Sequence, residues 1–198
     1  MVNYLLDMNL IMEYLKNNIS PKRYIHSINA SITAKKLAEF HECDAGKAEI
    51  AGLVHDCARD MDISLQLDCL VKEGIVADDL TLTAKELLHG PAAVHICRRV
   101  FGIEDEEILM AVRYHTTGRQ GMSLLEKIIY LADFIEPGRS FEGIKELRCL
   151  AFDNLDKALL LAFNSAIKYI ISKNGLIHAD TIQSRNYVLG ELKKIWTT

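Results

Sequence analysis

The chain has 198 residues, 49% hydrophobic and 25% charged, the balance of an ordinary globular protein that can bury a core without disulfides. Its formal net charge of -4 at pH 7 excludes an overall basic surface of the kind that binds nucleic acid, so any anion binding falls to local basic groups. No basic start with an apolar run and no membrane-length segment is seen, and the scattered odd set Cys43, Cys57, Cys69, Cys97 and Cys149 reads as reduced thiols; a cytoplasmic location without a membrane partner is expected.

Nearly every segment carries a helical period, and only Pro21, Pro91 and Pro137 interrupt it, which predicts an all-α domain of eight or nine helices. After an N-terminal helix reaching about Asn18, Ser20-Pro21 starts a second helix that carries His26. Asp44 is placed to cap a third, running through Ala51 and Leu53 to His55-Asp56 and on to Arg59. A short amphipathic helix is expected from Ser64 to Glu73, ending at Gly74, and another from Thr83 to His89, bent or restarted by Gly90-Pro91.

Glu106 to His115 forms the next helix, closed by Thr116-Thr117-Gly118, and Ser123 to Glu126 is a capping box for the helix that carries Asp133. A long helix from about Ile144 to Lys173 and a last one from about Asp180, its N-cap, to Trp196 read as scaffold. The whole is expected to be one domain, residues 1–198, with an N-terminal helix over 1–19, a chemical core over 20–140 and helical scaffold over 141–198.

His55-Asp56 stands out because the stretch Ala51-Gly-Leu-Val-His-Asp-Cys-Ala58 is otherwise apolar, and burying an unpaired carboxylate is costly. Further His and Asp residues in similar settings, His26, His89, His115 and Asp133, make a metal centre assembled from distant segments the leading explanation. Four imidazoles and two carboxylates suit iron, manganese or zinc, and the lack of thiolate ligands argues against a structural zinc site. Because adjacent residues on a helix point in different directions, His55 is expected to bind one ion while Asp56 reaches a second.

The order His26, His55-Asp56, Asp133 resembles the H…HD…D signature of the HD-domain metal-dependent phosphohydrolases. Together with Arg23-Tyr-Ile-His26, Leu87-Leu-His89, His115-Thr-Thr-Gly118 and Tyr130-Leu-Ala-Asp-Phe-Ile-Glu-Pro-Gly-Arg139, it is similar to the YqeK-like branch over about residues 20 to 190. That resemblance implies an HD-domain helical bundle and a symmetrical bis(5'-nucleosyl)-tetraphosphatase, which splits diadenosine tetraphosphate into two ADP with a metal-activated water. It implies two ions, iron first with manganese or zinc as alternatives: one held by His26, His55, Asp56 and Asp133, the other by Asp56, His89 and His115. Asp56 is then the catalytic bridging residue. One departure is the run Gly-Pro-Ala-Ala-Val after His89, where relatives are expected to carry a small Gly-Ala-type pair.

A four-phosphate substrate needs organic cations beside the metals. Arg23 lies three residues before His26, Arg59 four after His55, and Lys127 and Arg139 flank the Asp133 segment; Thr116 and Thr117 add hydroxyls and backbone N–H groups. Any single histidine here is more ordinarily a satisfied structural residue, which is how His41, His95 and His178 are read; only the ordered set reverses that weighing. Cys57 is read as a core residue, as are Tyr130 and Phe134. Competing functions are an HD-type hydrolase of mononucleotides, deoxynucleotides or cyclic phosphodiesters, a nucleotide-binding sensor without turnover, and a di-iron oxygenase. A homodimer is compatible with the sequence.

Overall fold

The computed structural model describes residues 8–194. Among these, every regular element is helical: α1 (Met8–Asn18), α2 (Pro21–Phe40), α3 (Ala45–Val54), α4 (Ile63–Lys72), α5 (Asp79–Thr83), a 3-10 turn (Lys85–Leu87), α6 (His89–Arg99), α7 (Glu106–Tyr114), α8 (Leu124–Ile135), α9 (Ile144–Asp153), α10 (Leu155–Ser172) and α11 (Ala179–Leu192). The all-α expectation holds, with eleven α-helices among the described residues where eight or nine were expected.

The extra helices have local causes. The expected helix from Ile144 to Lys173 is broken at Asn154, whose backbone is extended and whose side chain accepts from Lys157 N to start α10. The expected Thr83 to His89 helix is instead the 3-10 turn, and α6 begins at His89 with Pro91 in its first turn, where no intrahelical N–H is lost. The third helix stops at Val54; His55 to Asp60 continue as tight turns, with Cys57 N bonded to Val54 O and Arg59 N to Asp56 O. The last helix is capped by the His178 side chain, which accepts from Asp180 N, so His178 and not Asp180 is the N-cap. Trp196 lies outside the described residues.

Other caps follow the sequence. Asp44 accepts from Lys47 N, and Ser123 and Glu126 form a reciprocal capping box. Ser20 precedes Pro21 as expected but makes no side-chain cap; its backbone N–H donates to Asp60 Oδ2.

Helix α2 packs most extensively, along α3 and α8, and α7 lies against α3, α6 and α8. These five helices surround the chemical residues. Helix α10 backs α8 and carries α9 and α11. One buried apolar cluster runs from Ile11 and Leu15 on α1 through Leu53, Val112 and Leu131 to Phe163 and Val188. It includes Cys57 and Tyr130, with Phe134 packed at its edge. None of the described helices is long and apolar enough to cross a membrane.

Candidate metal centre

The site forms where helix ends meet helix faces. His26 lies on the inner face of α2, Asp133 two residues before the end of α8, His55 and His115 just past the ends of α3 and α7, and His89 at the start of α6. Two glycines permit the convergence. A Cβ at Gly52 would stand 2.9 Å from Ser31 Cα, so its absence lets α3 press against α2; a Cβ at Gly90 would stand 2.8 Å from Arg113 O, so α6 starts directly against the end of α7.

All six expected ligands come together, and their side chains are buried or nearly so. His26 Nε2 lies 3.2 Å from His55 Nε2 and 3.0 Å from Asp133 Oδ1. His89 Nε2 lies 2.9 Å from His115 Nε2. Asp56 stands between the two groups: Oδ2 is 3.8 Å from His26 Nε2 and 3.7 Å from His55 Nε2, while Oδ1 is 3.1 Å from His89 Nε2 and 3.7 Å from His115 Nε2.

The reverse side of each ring defines its proton. His55 Nδ1 donates to Gly52 O and His115 Nδ1 to Val112 O, each at 2.7 Å; His89 Nδ1 lies 2.7 Å from Glu86 O and 2.8 Å from Arg59 Nη1, and His26 Nδ1 faces Glu136 Oε1 at 3.2 Å. A ring that carries its hydrogen on Nδ1 turns an Nε2 lone pair inward, the form in which it can hold a cation. Lone pairs facing one another at about 3 Å, ringed by carboxylate oxygens, fit a cation. Three overlapping sets could hold one: His26, His55 and Asp56; His55, His115 and Asp133; and Asp56, His89 and His115.

Electrostatics agree. Burial pushes the His55 pKa down to about 4, and burial also lowers that of His89, so both rings are neutral at physiological pH. Burial alone would raise the Asp56 carboxyl, but His55, His115 and His89 carry it well below its ordinary value. Asp133 behaves likewise: burial raises it, and the His26 hydrogen bond with the Arg139 charge brings it far below. Both carboxylates are ionised, as ligands must be.

The expected substrate residues divide. Arg23 Nη1 donates to Asp56 Oδ2 at 2.8 Å, and Arg139 reaches both the carboxylate and the backbone carbonyl of Asp133. Both line a cleft of about 560 Å³ that opens on His26 and also presents Lys22. Arg59 is not on a helix with His55; it arrives beside His89 because its Nη1 donates to Glu86 O at 2.7 Å. Thr116 Oγ1 lies 3.1 Å from His115 Nε2; both threonines line a second cleft, and Thr117 Oγ1 donates to Gly118 O.

Lys127 is not brought to the centre. It pairs with Asp156 at 2.7 Å and lines a separate depression with Arg119 and Glu191. Six helical residues separate it from Asp133, which turns it roughly 240° around α8. The other three histidines keep structural roles: His41 bonds Ala151 O, His95 pairs with Glu73, and His178 joins Asp78 and Thr81 to the start of α11.

Two contributors were missed by reasoning from the sequence. Glu136, almost fully buried, holds His26 through Oε1 and accepts from Asn29 Nδ2 and Gly138 N through Oε2. Arg148, from α9, donates to the carbonyls of Ile135, Glu136 and Arg139 and so clamps the loop that carries them. A glutamate followed by Pro-Gly at the end of a ligand helix was the available hint for the first. Nothing local marks the second.

Comparison with known proteins agrees with this geometry. The HD domain family model matches residues 23–138, spanning His26 through Asp133. A symmetrical bis(5'-nucleosyl)-tetraphosphatase from Halalkalibacterium halodurans is 39% identical over 92% of this chain and 97% of its own length. Proteins of the same name from Staphylococcus aureus and Bacillus subtilis are each 38% identical, over 87% and 88% of this chain and 89% and 94% of theirs. A crystal structure of an HD superfamily hydrolase described as involved in NAD metabolism, from Clostridium acetobutylicum, superposes with a TM-score of 0.89 at 46% identity, covering 92% of this chain and 97% of that one. In sequence, in fold and in the ordered His and Asp residues of its centre, the chain belongs to the HD domain family.

Proposed function

We propose that this protein is a metal-dependent hydrolase that cleaves diadenosine tetraphosphate symmetrically into two ADP. The observation that carries the reading is the placement of Asp56, whose two oxygens serve two different histidine pairs. Such a carboxylate suits a binuclear centre in which His26, His55, Asp56 and Asp133 hold one ion and Asp56, His89 and His115 the other. Relatives at 38 to 39% identity, named for this activity, support the substrate.

When bound, the ions supply Lewis acidity, which makes water nucleophilic at neutral pH and neutralises phosphoryl charge. The imidazole and carboxylate donor set accepts iron, and manganese or zinc as well. Asp56 and the histidines orient that chemistry with fixed Nε2 and Oδ atoms. Arg23 and Arg139 present guanidinium groups from the His26 side, where they bind phosphoryl oxygens and hold the chain in line. Arg59 does the same beside His89. Water oxygen joins one of the two central phosphorus atoms, the bridging oxygen leaves on the other half with its electron pair, and a proton is released. The buried thiols of Cys57, Cys69 and Cys97 support a reducing, cytoplasmic setting.

A product assay on metal-loaded protein tests the reading. ADP as the sole nucleotide released from diadenosine tetraphosphate is expected, with weaker or no turnover of mononucleotides, deoxynucleotides and cyclic phosphodiesters. Equal amounts of AMP and ATP, or turnover of mononucleotides alone, would sink it.

A further inference from the structure

Two clefts reach the centre from opposite ends, and they differ in chemistry. The first, about 560 Å³, opens on His26 and is lined by Lys22, Arg23 and Arg139, a setting for phosphate. The second, about 140 Å³, begins at Thr116, whose hydroxyl stands 3.1 Å from His115 Nε2 and 3.5 Å from His89 Nε2. Leu70, Ile75, Leu87, Pro91 and Tyr114 line it, together with Arg113 and the carboxylates of Asp78 and Asp180.

The two carboxylates outnumber the single Arg113 guanidinium, so the cleft disfavours phosphate relative to the first and offers acceptors to N–H donors, while its apolar residues can receive a flat ring. The order across the centre is therefore cationic cleft, His26 with Asp133, Asp56, His89 with His115, Thr116, and a second cleft of mixed apolar and carboxylate lining. We infer that the second cleft is a nucleobase subsite, filled by the base of one half of the dinucleotide, so that a symmetrical substrate is held in two unlike sites. The inference rests on the proposed tetraphosphatase reading and deepens it.

The second cleft also has a built wall. His178, buried, bonds Asp78 Oδ2 at 3.0 Å and lies 3.2 Å from Thr81 Oγ1, fastening the segment that carries Ile75 and Ala77 to the start of α11. That bond fixes the Asp78 carboxylate in place with no substrate bound. The base accordingly meets a preorganised acceptor and loses little to ordering the site.

Ala77→Trp, which fills the cleft, and Asp180→Asn, which removes a lining charge while keeping the shape, test the assignment on the metal-loaded enzyme. Expected for Ala77→Trp are a KM for diadenosine tetraphosphate raised about tenfold or more and ADP bound at one per chain where the parent binds two. Asp180→Asn should raise KM by a smaller factor. Metal content and inhibition by inorganic pyrophosphate, which has no base, should stay at parental values in both. Unchanged KM and unchanged ADP stoichiometry in the two variants would overturn the subsite while leaving the hydrolase intact. A parent enzyme that releases no ADP overturns the functional reading itself, and the subsite with it. If Ala77→Trp loses metal, its fold is disturbed, and Asp180→Asn decides alone by its KM.

Discussion

Glu136 stands behind His26, with Oε1 at 3.2 Å from Nδ1, and is the one carboxylate that backs an imidazole of this centre; the rings of His55, His89 and His115 are backed by main-chain carbonyls. A carboxylate partner makes the ring a stronger donor on its other nitrogen and fixes its orientation. Glu136→Gln should keep the fold but weaken metal binding roughly 10- to 100-fold, with the loss concentrated in the proposed ion at His26. Metal titration followed by elemental analysis reads this directly, and unaltered affinity would leave Glu136 a purely structural residue.

Asp56→Ala should remove activity and lower metal content together, because both proposed ions lose an oxygen ligand. A variant that keeps two ions per chain and turns over at parental rate contradicts the bridging role. Elemental analysis and ADP release on the same preparation settle the matter.

Arg139 and Lys127 make a contrasting pair. Arg139→Ala removes a cation facing the phosphate cleft, so KM should rise or kcat fall by about tenfold or more while metal content is retained. Lys127→Ala, which breaks only the pair with Asp156, should leave both constants within about twofold of the parent, as expected for a partly exposed ion pair.

Gly90→Ala places a methyl group 2.8 Å from Arg113 O, which forces α6 away from the end of α7. The cost expected is about 1–3 kcal/mol in stability, as for overpacking elsewhere. The same displacement separates His89 from His115, so one of the two proposed ions should be lost preferentially. Thermal unfolding and metal counting on the same sample test both consequences.

The metal-free protein should lose stability on mild acidification. His55 has its pKa lowered by burial from the ordinary 6.5 to about 4, so the unfolded chain takes up a proton in that interval and the folded one does not. Stability is therefore full above about pH 6.5 and falls as pH drops toward 4, by up to roughly 3 kcal/mol from this group. His26 acts with the opposite sign: burial lowers its pKa, but the Asp133 hydrogen bond raises it overall, so its contribution is present below pH 6.5 and fades as pH rises through the folded value. Urea midpoints of metal-free protein at pH 7 and pH 5 give the net slope; a higher midpoint at pH 5 would mean that His26 dominates.

Much of this was legible in the residues. His55-Asp56 announced itself as a polar pair in apolar sequence, and the helical period located the segments that bring His26, His89, His115 and Asp133 to it. Capping chemistry placed the starts of α3 and α8 correctly because Asp44 and Ser123 bond to residues only three positions away. What failed was reasoning that assumed an uninterrupted helix. Lys127 was assigned by nearness in sequence to Asp133, but helical rotation carried it to another face. Arg59 was assigned by helical spacing from His55, and it reaches the site through turns and the carbonyl of Glu86 instead. Glu136 and Arg148 work through distant partners, which no local pattern records.

Arg148 also bears on where the working unit ends. It lies beyond residues 23–138, the stretch shared across the family, yet three main-chain carbonyls of the Ile135 to Arg139 loop depend on its guanidinium. That loop carries both Glu136, which braces His26, and Arg139, the proposed phosphate-facing cation. An excised piece stopping at residue 138 would keep every proposed ligand but lose Arg139 itself and the anchor that aims Glu136, so α9 belongs to the working unit and is not a removable buttress.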